Sequence, residues 1–229
     1  MKVYFESISI RNLFKWFDRK CFAILKFQRE FECNTKHVLT LLNIIYEGFP
    51  LYQNIIVRSH KDKQWELQHK LHILPPFNAT QNKEIFIIMD GDQHFSFLHR
   101  LRLGKTVINS RGRKIYFGDI YYSIYKNEKN FLCPRRPDPE KHFKVSNILS
   151  DNWRNSFRGL SKYKHQKVKE CRNRLLNYKF CFEFIETNEL VKVFDTFTKI
   201  STRGMQITKA DRARIISQGH KKSTIDPIS

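Results

Sequence analysis

One stretch constrains this chain more than any other: Glu84-Ile85-Phe86-Ile87-Ile88-Met89-Asp90-Gly91-Asp92-Gln93-His94-Phe95. Four consecutive apolar residues followed by Met89 fit a strand buried on both faces. Asp90-Gly91 then turns the chain, and Phe95, Leu98 and Leu101 recur at helical spacing up to Gly104. A polar cluster therefore sits where a buried strand meets a helix N-terminus, a place where backbone N–H groups and the positive end of the helix dipole favour bound anions such as phosphate. The same segment also reads as a plain corner in which Asp90 or Asp92 caps the helix.

Around this stretch the periodicities alternate between strand and helix. The first segment, to Trp16, is short and mixed, with Phe14, Trp16 and Phe17 expected to pack. Ile24 to Phe31 reads as a brief extended piece. Asn34 or Thr35 opens a helix on Val38, Leu41, Leu42 and Ile45, which Gly48 and Pro50 end. Ile55-Ile56-Val57 reads as a strand, and residues 61–83 as an exposed excursion. Thr106-Val107-Ile108 and Lys114-Ile115-Tyr116-Phe117 flank a hairpin turn. The proline-rich run Cys133 to Pro139 breaks regular structure and marks the division between two portions.

From Ser146 the signals are mostly helical. Val168, Cys171, Leu175 and Tyr178 form one stripe of a segment that carries Lys162, Lys164, Lys167, Lys169, Arg172 and Arg174. Those cations either track the phosphates of DNA or form a solvated face. Lys179 to Glu186 alternates as a half-buried strand, and two further helices are expected around Leu190–Phe197 and after Thr208. The fold class is α+β: a small mixed sheet with flanking helices over residues 1–145, and a mostly helical portion with one edge strand over 146–229 that completes the same module.

Composition narrows the function. The 42 Lys and Arg against 22 Asp and Glu leave a net charge of +20, which favours a polyanionic partner, nucleic acid or nucleotides ahead of a membrane surface. The five scattered cysteines lack C-x-x-C spacing and argue against a disulfide framework or a structural zinc site. The N-terminal residues lack the layout of a signal peptide, and no apolar run is long enough to span a bilayer. A soluble, cytoplasmic protein is expected.

Four pieces then fall in a telling order: Phe27-Gln28-Arg29; a helix ending in Gly48-Phe49-Pro50; Ile88-Met89-Asp90-Gly91-Asp92-Gln93-His94; and Phe194 to Gly204 followed by Met205-Gln206-Ile207-Thr208-Lys209-Ala210-Asp211. Together they resemble the N-terminal domain of GmrSD-type, modification-dependent restriction endonucleases, whose fold is related to ParB and sulfiredoxin. There the pieces look like F-Q-R, a helix with G-x-P-I, D-G-Q-Q-R, and F-x-x-I-N-x-x-G-x-x-L-[ST]-x-x-[DE]. The resemblance spans roughly Ile24 to Ile216, most of the chain.

The resemblance implies a domain that binds and hydrolyses nucleoside triphosphate, coupled to cleavage of modified or foreign DNA. It carries Asp90, Gln93 and Arg29 over as catalytic residues. Gln28, Arg29, Gly91, Asp92, His94, Ser201 and Gly204 become nucleotide-binding residues, with Mg²⁺ held by Asp90 and Asp92. Three positions depart from the pattern: Asp92 replaces a Gln, His94 an Arg and Ser201 an Asn. Losing the Arg removes a permanent, bidentate charge, and an added carboxylate repels phosphate unless a metal ion intervenes.

Complete enzymes of this type carry a C-terminal nuclease half; none is expected in this chain, and a separate nuclease subunit is left open as a partner. His72-Ile73-Leu74-Pro75 spells an H-x-x-P element but lies ahead of the central strand without a metal cluster after it. The alternative is a catalytically inactive relative that acts as a basic nucleic-acid-binding or regulatory protein. A third reading is a ParB-like, metal-dependent nuclease.

Overall fold

The apolar run at the centre of the sequence forms the centre of the sheet. Strand β5 (Glu84–Asp90) has neighbours on both sides, and its residues Phe86 to Met89 are each between 0 and 6% exposed, so both faces are covered. The computed structural model describes residues 2–25, 34–51, 54–60, 71–73, 84–108, 112–125 and 127–187; within these ranges the side chains of 23–25, 54, 59–60, 71–73, 84–85 and 92 are not described.

On one flank of β5 lies strand β3 (Asn54–His60), antiparallel, with Ile56 opposite Ile88 and an irregularity between Ile55 and Ile56. On the other lies β2 (Phe22–Leu25), parallel, with Phe22 opposite Phe86 and Ile24 opposite Ile88. The short β4 (Leu71–Ile73) closes that side, antiparallel to β2. Beyond β3 lie β11 (Lys179–Glu186), parallel to it, and β1 (Lys2–Ser9), antiparallel to β11. The six-stranded order is thus β1-β11-β3-β5-β2-β4. The α+β class expected from the sequence is the one found.

Two expectations change. The N-terminal segment is not irregular: Ser9 caps helix α1 (Ile10–Asp18) by accepting the Asn12 N–H at 3.3 Å, and the helix buries Ile10, Leu13, Phe14 and Phe17. Strand β11 is not an edge strand either. It lies between β1 and β3, so the segment after residue 146 returns into the sheet built by the earlier residues.

The helices pack on the sheet face that carries Phe22, Ile56, Phe86, Ile88, Phe180, Phe182 and Phe184. Helix α2 (Thr35–Glu47) forms as its spacing predicts. Asn34 accepts the His37 N–H at 2.9 Å, and Gly48 ends it in the left-handed conformation at φ 81°. Helix α3 (Asp92–Leu103) follows β5, and α6 (Lys162–Asn177) buries Val168, Cys171, Leu175 and Leu176. An aromatic cluster locks the layers together: Trp16 stacks on Phe86 with centroids 4.5 Å apart, and Phe22 sits 5.2 Å from both Phe17 and Phe95. Such pairs add roughly 0.5–1.5 kcal/mol each beyond area burial.

The middle of the chain is a set of small elements. The expected hairpin is β6 (Thr106–Ile108) with β7 (Lys114–Tyr116). A three-stranded sheet joins β8 (Tyr121–Ser123), β9 (Phe131–Leu132) and β10 (His142–Lys144), and the proline-rich run lies between β9 and β10. Helices α4 (Val145–Leu149) and α5 (Trp153–Ser156) lead to α6. The helices expected after residue 188 lie outside the described residues.

Candidate functional site

The turn out of β5 is built by two residues. Asp90 is exposed, and its Oδ1 accepts the N–H of Gly91 at 2.8 Å. Gly91 takes φ 87°, a left-handed conformation that a side chain would strain, and as the N-cap of α3 it offers the helix no side-chain acceptor. The N–H groups of His94 and Phe95 both point back to the Gly91 carbonyl, at 2.9 and 3.2 Å, which closes the first turn tightly. Asp90 therefore braces the turn ahead of the helix, and the capping role that the sequence left open for it belongs to Gly91. The Asp92 side chain lies outside the described residues, and so do Gln28, Arg29, Ser201 and Gly204.

His94 lies half-buried beside the corner, its ring 6.3 Å from that of Phe180. Burial pushes its pKa below the ordinary 6.5, with the charge of Asp90 opposing the shift. The imidazole is thus neutral near pH 7 and does not replace the fixed charge of an arginine. Gln93 is partly buried in the first turn of α3.

The geometry bears on Gln28 and Arg29 through the strand that precedes them. Because β2 runs parallel to β5 with Ile24 opposite Ile88, the chain leaves β2 at Leu25 on the same end of the sheet at which β5 delivers Asp90. The carboxyl ends of adjacent parallel strands are where α/β sheets commonly bind ligands. The exposed Asp90 carboxylate suits a hard divalent cation completed by water and phosphate oxygens, the donor set Mg²⁺ takes.

On α6 the basic residues divide into three groups. Lys162, Lys169 and Arg174 are exposed, with Arg174 lying over the Tyr46 ring at 4.8 Å. Lys164 pairs with Glu140, and Lys167 pairs with Glu170 at 3.4 Å while lying 5.9 Å from the exposed Tyr163 ring. Arg172 turns inward. Its guanidinium donates to the carbonyls of Ile148 and Ser150, the latter at 2.9 Å, and lies 5.4 Å from the Trp153 ring. Burial, then the charge of Arg11, lowers its pKa. Arg172 thus ties α6 to the end of α4.

Two polar clusters had no sequence signal. Arg102, with its side chain 12% exposed, bonds Asp18 at 2.7 Å, Asp151 at 3.0 Å and the Phe14 carbonyl at 3.3 Å, joining α1, α3 and the turn before α5. In the three-stranded sheet, Ser123 donates to Glu128 at 2.7 Å, and His142 Nε2 donates to the same carboxylate at 2.8 Å. The Asp138 N–H bonds His142 Nδ1 at 2.9 Å. Since Nδ1 accepts and the carboxylate lies between serine and histidine, the serine proton has no path to the imidazole. This is a clamp between β8, β10 and the turn at Glu128. A line of acidic and hydroxyl residues scattered over 20 positions gives no hint of it, because the strands alone bring them together.

No family model and no curated protein sequence matches the chain. Among the described residues no helix is long and apolar enough to cross a membrane.

Proposed function

We propose that the chain is a nucleotide-binding module, with the triphosphate at the corner between β5 and α3 and DNA contacted through the exposed cations of α6. The observation that supports this reading best is the parallel pairing of β2 with β5, which brings the end of β2 at Leu25, three residues before Gln28 in sequence, and the Asp90-Gly91 turn to the same end of the sheet. Gly91 lets the backbone approach a phosphate closely, and the dipole of α3 favours its charge. Mg²⁺ would be held by Asp90 with Asp92, and when bound it neutralises phosphate charge. Arg29 supplies a permanent cation and Gln93 a group able to orient water. The resemblance of the four sequence pieces to the GmrSD-type N-terminal domain, with its ParB- and sulfiredoxin-related fold, points to the same corner and to a genome-defence role.

For hydrolysis the site lacks one permanent cation, because the neutral His94 stands where the family pattern has an arginine. A second reading, a basic protein that binds nucleic acid without turnover, is favoured by that same imidazole and by the +20 charge. Equilibrium binding of GTP, ATP and dNTPs with Mg²⁺, followed by phosphate release, separates the two. The proposal predicts binding that Asp90→Ala weakens by about tenfold or more, equal to ~1.4 kcal/mol. Salt-sensitive DNA binding with no nucleotide affinity, indifferent to Asp90→Ala, supports the second reading instead.

A further inference from the structure

Strand β1 closes one side of the sheet, and among the described residues no strand lies along its outer edge. Such an edge presents unpaired N–H and C=O groups that template another strand, and proteins ordinarily protect it with proline, a bulge, shortness or charged side chains. β1 has only the last of these, Lys2 and Glu6, and the two are opposite in sign. It runs eight residues without proline and keeps unbroken register with β11 from Lys2 opposite Glu186 to Ser9 opposite Lys179. It also exposes two large apolar side chains on one face, Phe5 at 71% and Val3 at 45%. Val3 lies opposite the buried Ile185, so an apolar stripe runs to the rim of the sheet and stops in solvent.

The sequence of this edge is complementary to its own reverse. Laid antiparallel on itself with Tyr4 at the centre, Lys2-Val3-Tyr4-Phe5-Glu6 sets each Lys2 against a Glu6, each Val3 against a Phe5 and Tyr4 against Tyr4. Slips of two residues, which keep the same side chains on the same face, lose the Lys2–Glu6 pairs and the Val3–Phe5 pairs together. The central residue is already held: the Tyr4 ring stacks on Phe184 at 5.2 Å, and its hydroxyl accepts from Arg58 at 3.1 Å and donates to Glu186 at 3.4 Å.

We propose that β1 pairs with β1 of a second copy about a two-fold axis at Tyr4, so that the chain forms a homodimer with one sheet continuous across it. The interface is isologous, and every favourable pair occurs twice. Main-chain hydrogen bonds supply affinity, and the Val3–Phe5 and Lys2–Glu6 pairs fix the register. The net charge of +20 opposes association, so the dimer strengthens with salt until the Lys2–Glu6 pairs are screened.

Sedimentation velocity of the full chain, tagged only at its C-terminus, tests this at about 0.15 M salt, where the Debye length is ~8 Å. The wild-type protein is expected to be a dimer and Phe5→Lys a folded monomer. Lys2→Glu and Glu6→Lys each place like charges in contact twice and weaken the dimer by roughly tenfold, while the two together restore it. The first single change lowers the net charge and the second raises it, so an effect of overall charge would move them in opposite directions. A wild-type monomer, a dimer that Phe5→Lys leaves intact, or single changes without recovery in the double variant each overturn the proposal. Circular dichroism checks folding, and if Phe5→Lys does not fold, the charge-swap series decides alone.

Discussion

The two ends of helix α3 are made from similar residue types and do opposite things. At its C-terminal end Arg102 is almost covered, its guanidinium divided between Asp18, Asp151 and a main-chain carbonyl. There Gly104 ends the helix in the left-handed conformation and lies hard against Gly118. At its N-terminal end Asp90 is exposed, Gly91 provides no side-chain cap, and His94 is kept neutral by burial. One end spends its polar groups on holding three segments together. The other leaves the Asp90 carboxylate exposed, an arrangement that contributes little to stability and that the proposed function assigns to phosphate and its metal ion.

The largest effect expected at the C-terminal end is steric. A Cβ at Gly118 would meet the Gly104 carbonyl oxygen at 2.9 Å, and backbone cannot swing aside as a flexible side chain does. Gly118→Ala should cost about 2–3 kcal/mol in denaturant unfolding while leaving the affinity of the remaining folded protein for nucleotide unchanged. Arg102→Met comes next. Its two acidic partners are themselves 58% and 83% exposed, so the loss is closer to about 1–2 kcal/mol than to that of a fully buried pair. If either substitution selectively abolished ligand binding in a protein that remained folded, the division between the two ends would fail.

The N-terminal end yields a smaller effect with a definite sign. His94 has a folded pKa below 6.5, so in the window beneath that value the unfolded chain binds the proton more readily than the folded one. The stability tied to the neutral imidazole is present above pH 6.5 and declines as the pH falls through the window, by at most about 1.4 kcal/mol per pH unit. Denaturant midpoints measured between pH 7.5 and 5 should fall less steeply for His94→Gln than for the wild type. His99, lowered first by burial and then by Lys105 and the nearby arginines, keeps part of the slope in both.

Much of this architecture was legible because it depends on local pattern. The run through Met89 could only be a strand covered on both faces, α2 carried its own cap and stop, and β11 alternated cleanly. The N-terminal elements were also written plainly, with Ile10, Leu13, Phe14 and Phe17 at helical spacing behind a serine. The preceding strand hid them, because as an edge it carries apolar residues on both faces. What could not be read was direction in space. Nothing local puts β11 in the interior of the sheet, and nothing in a basic helix says that Arg172 turns toward carbonyls while Lys162 faces solvent. Among the candidate site residues, the Asp90-Gly91 turn was foreseen as a corner and His94 as a mostly neutral side chain, but the burial that lowers its pKa follows from the depth at which α3 packs.

The N-terminal end of α3 is the proposed site of phosphate binding, and amide chemical shifts report on it directly. On titration with Mg²⁺ and nucleoside triphosphate, the amides of Gly91, Asp92 and Gln93 should shift in a saturable way, while those of Gly104 and Lys105, at the other end of the same helix, stay in place. Shifts confined to α6, or none at Gly91 to Gln93 at saturating nucleotide, would contradict it.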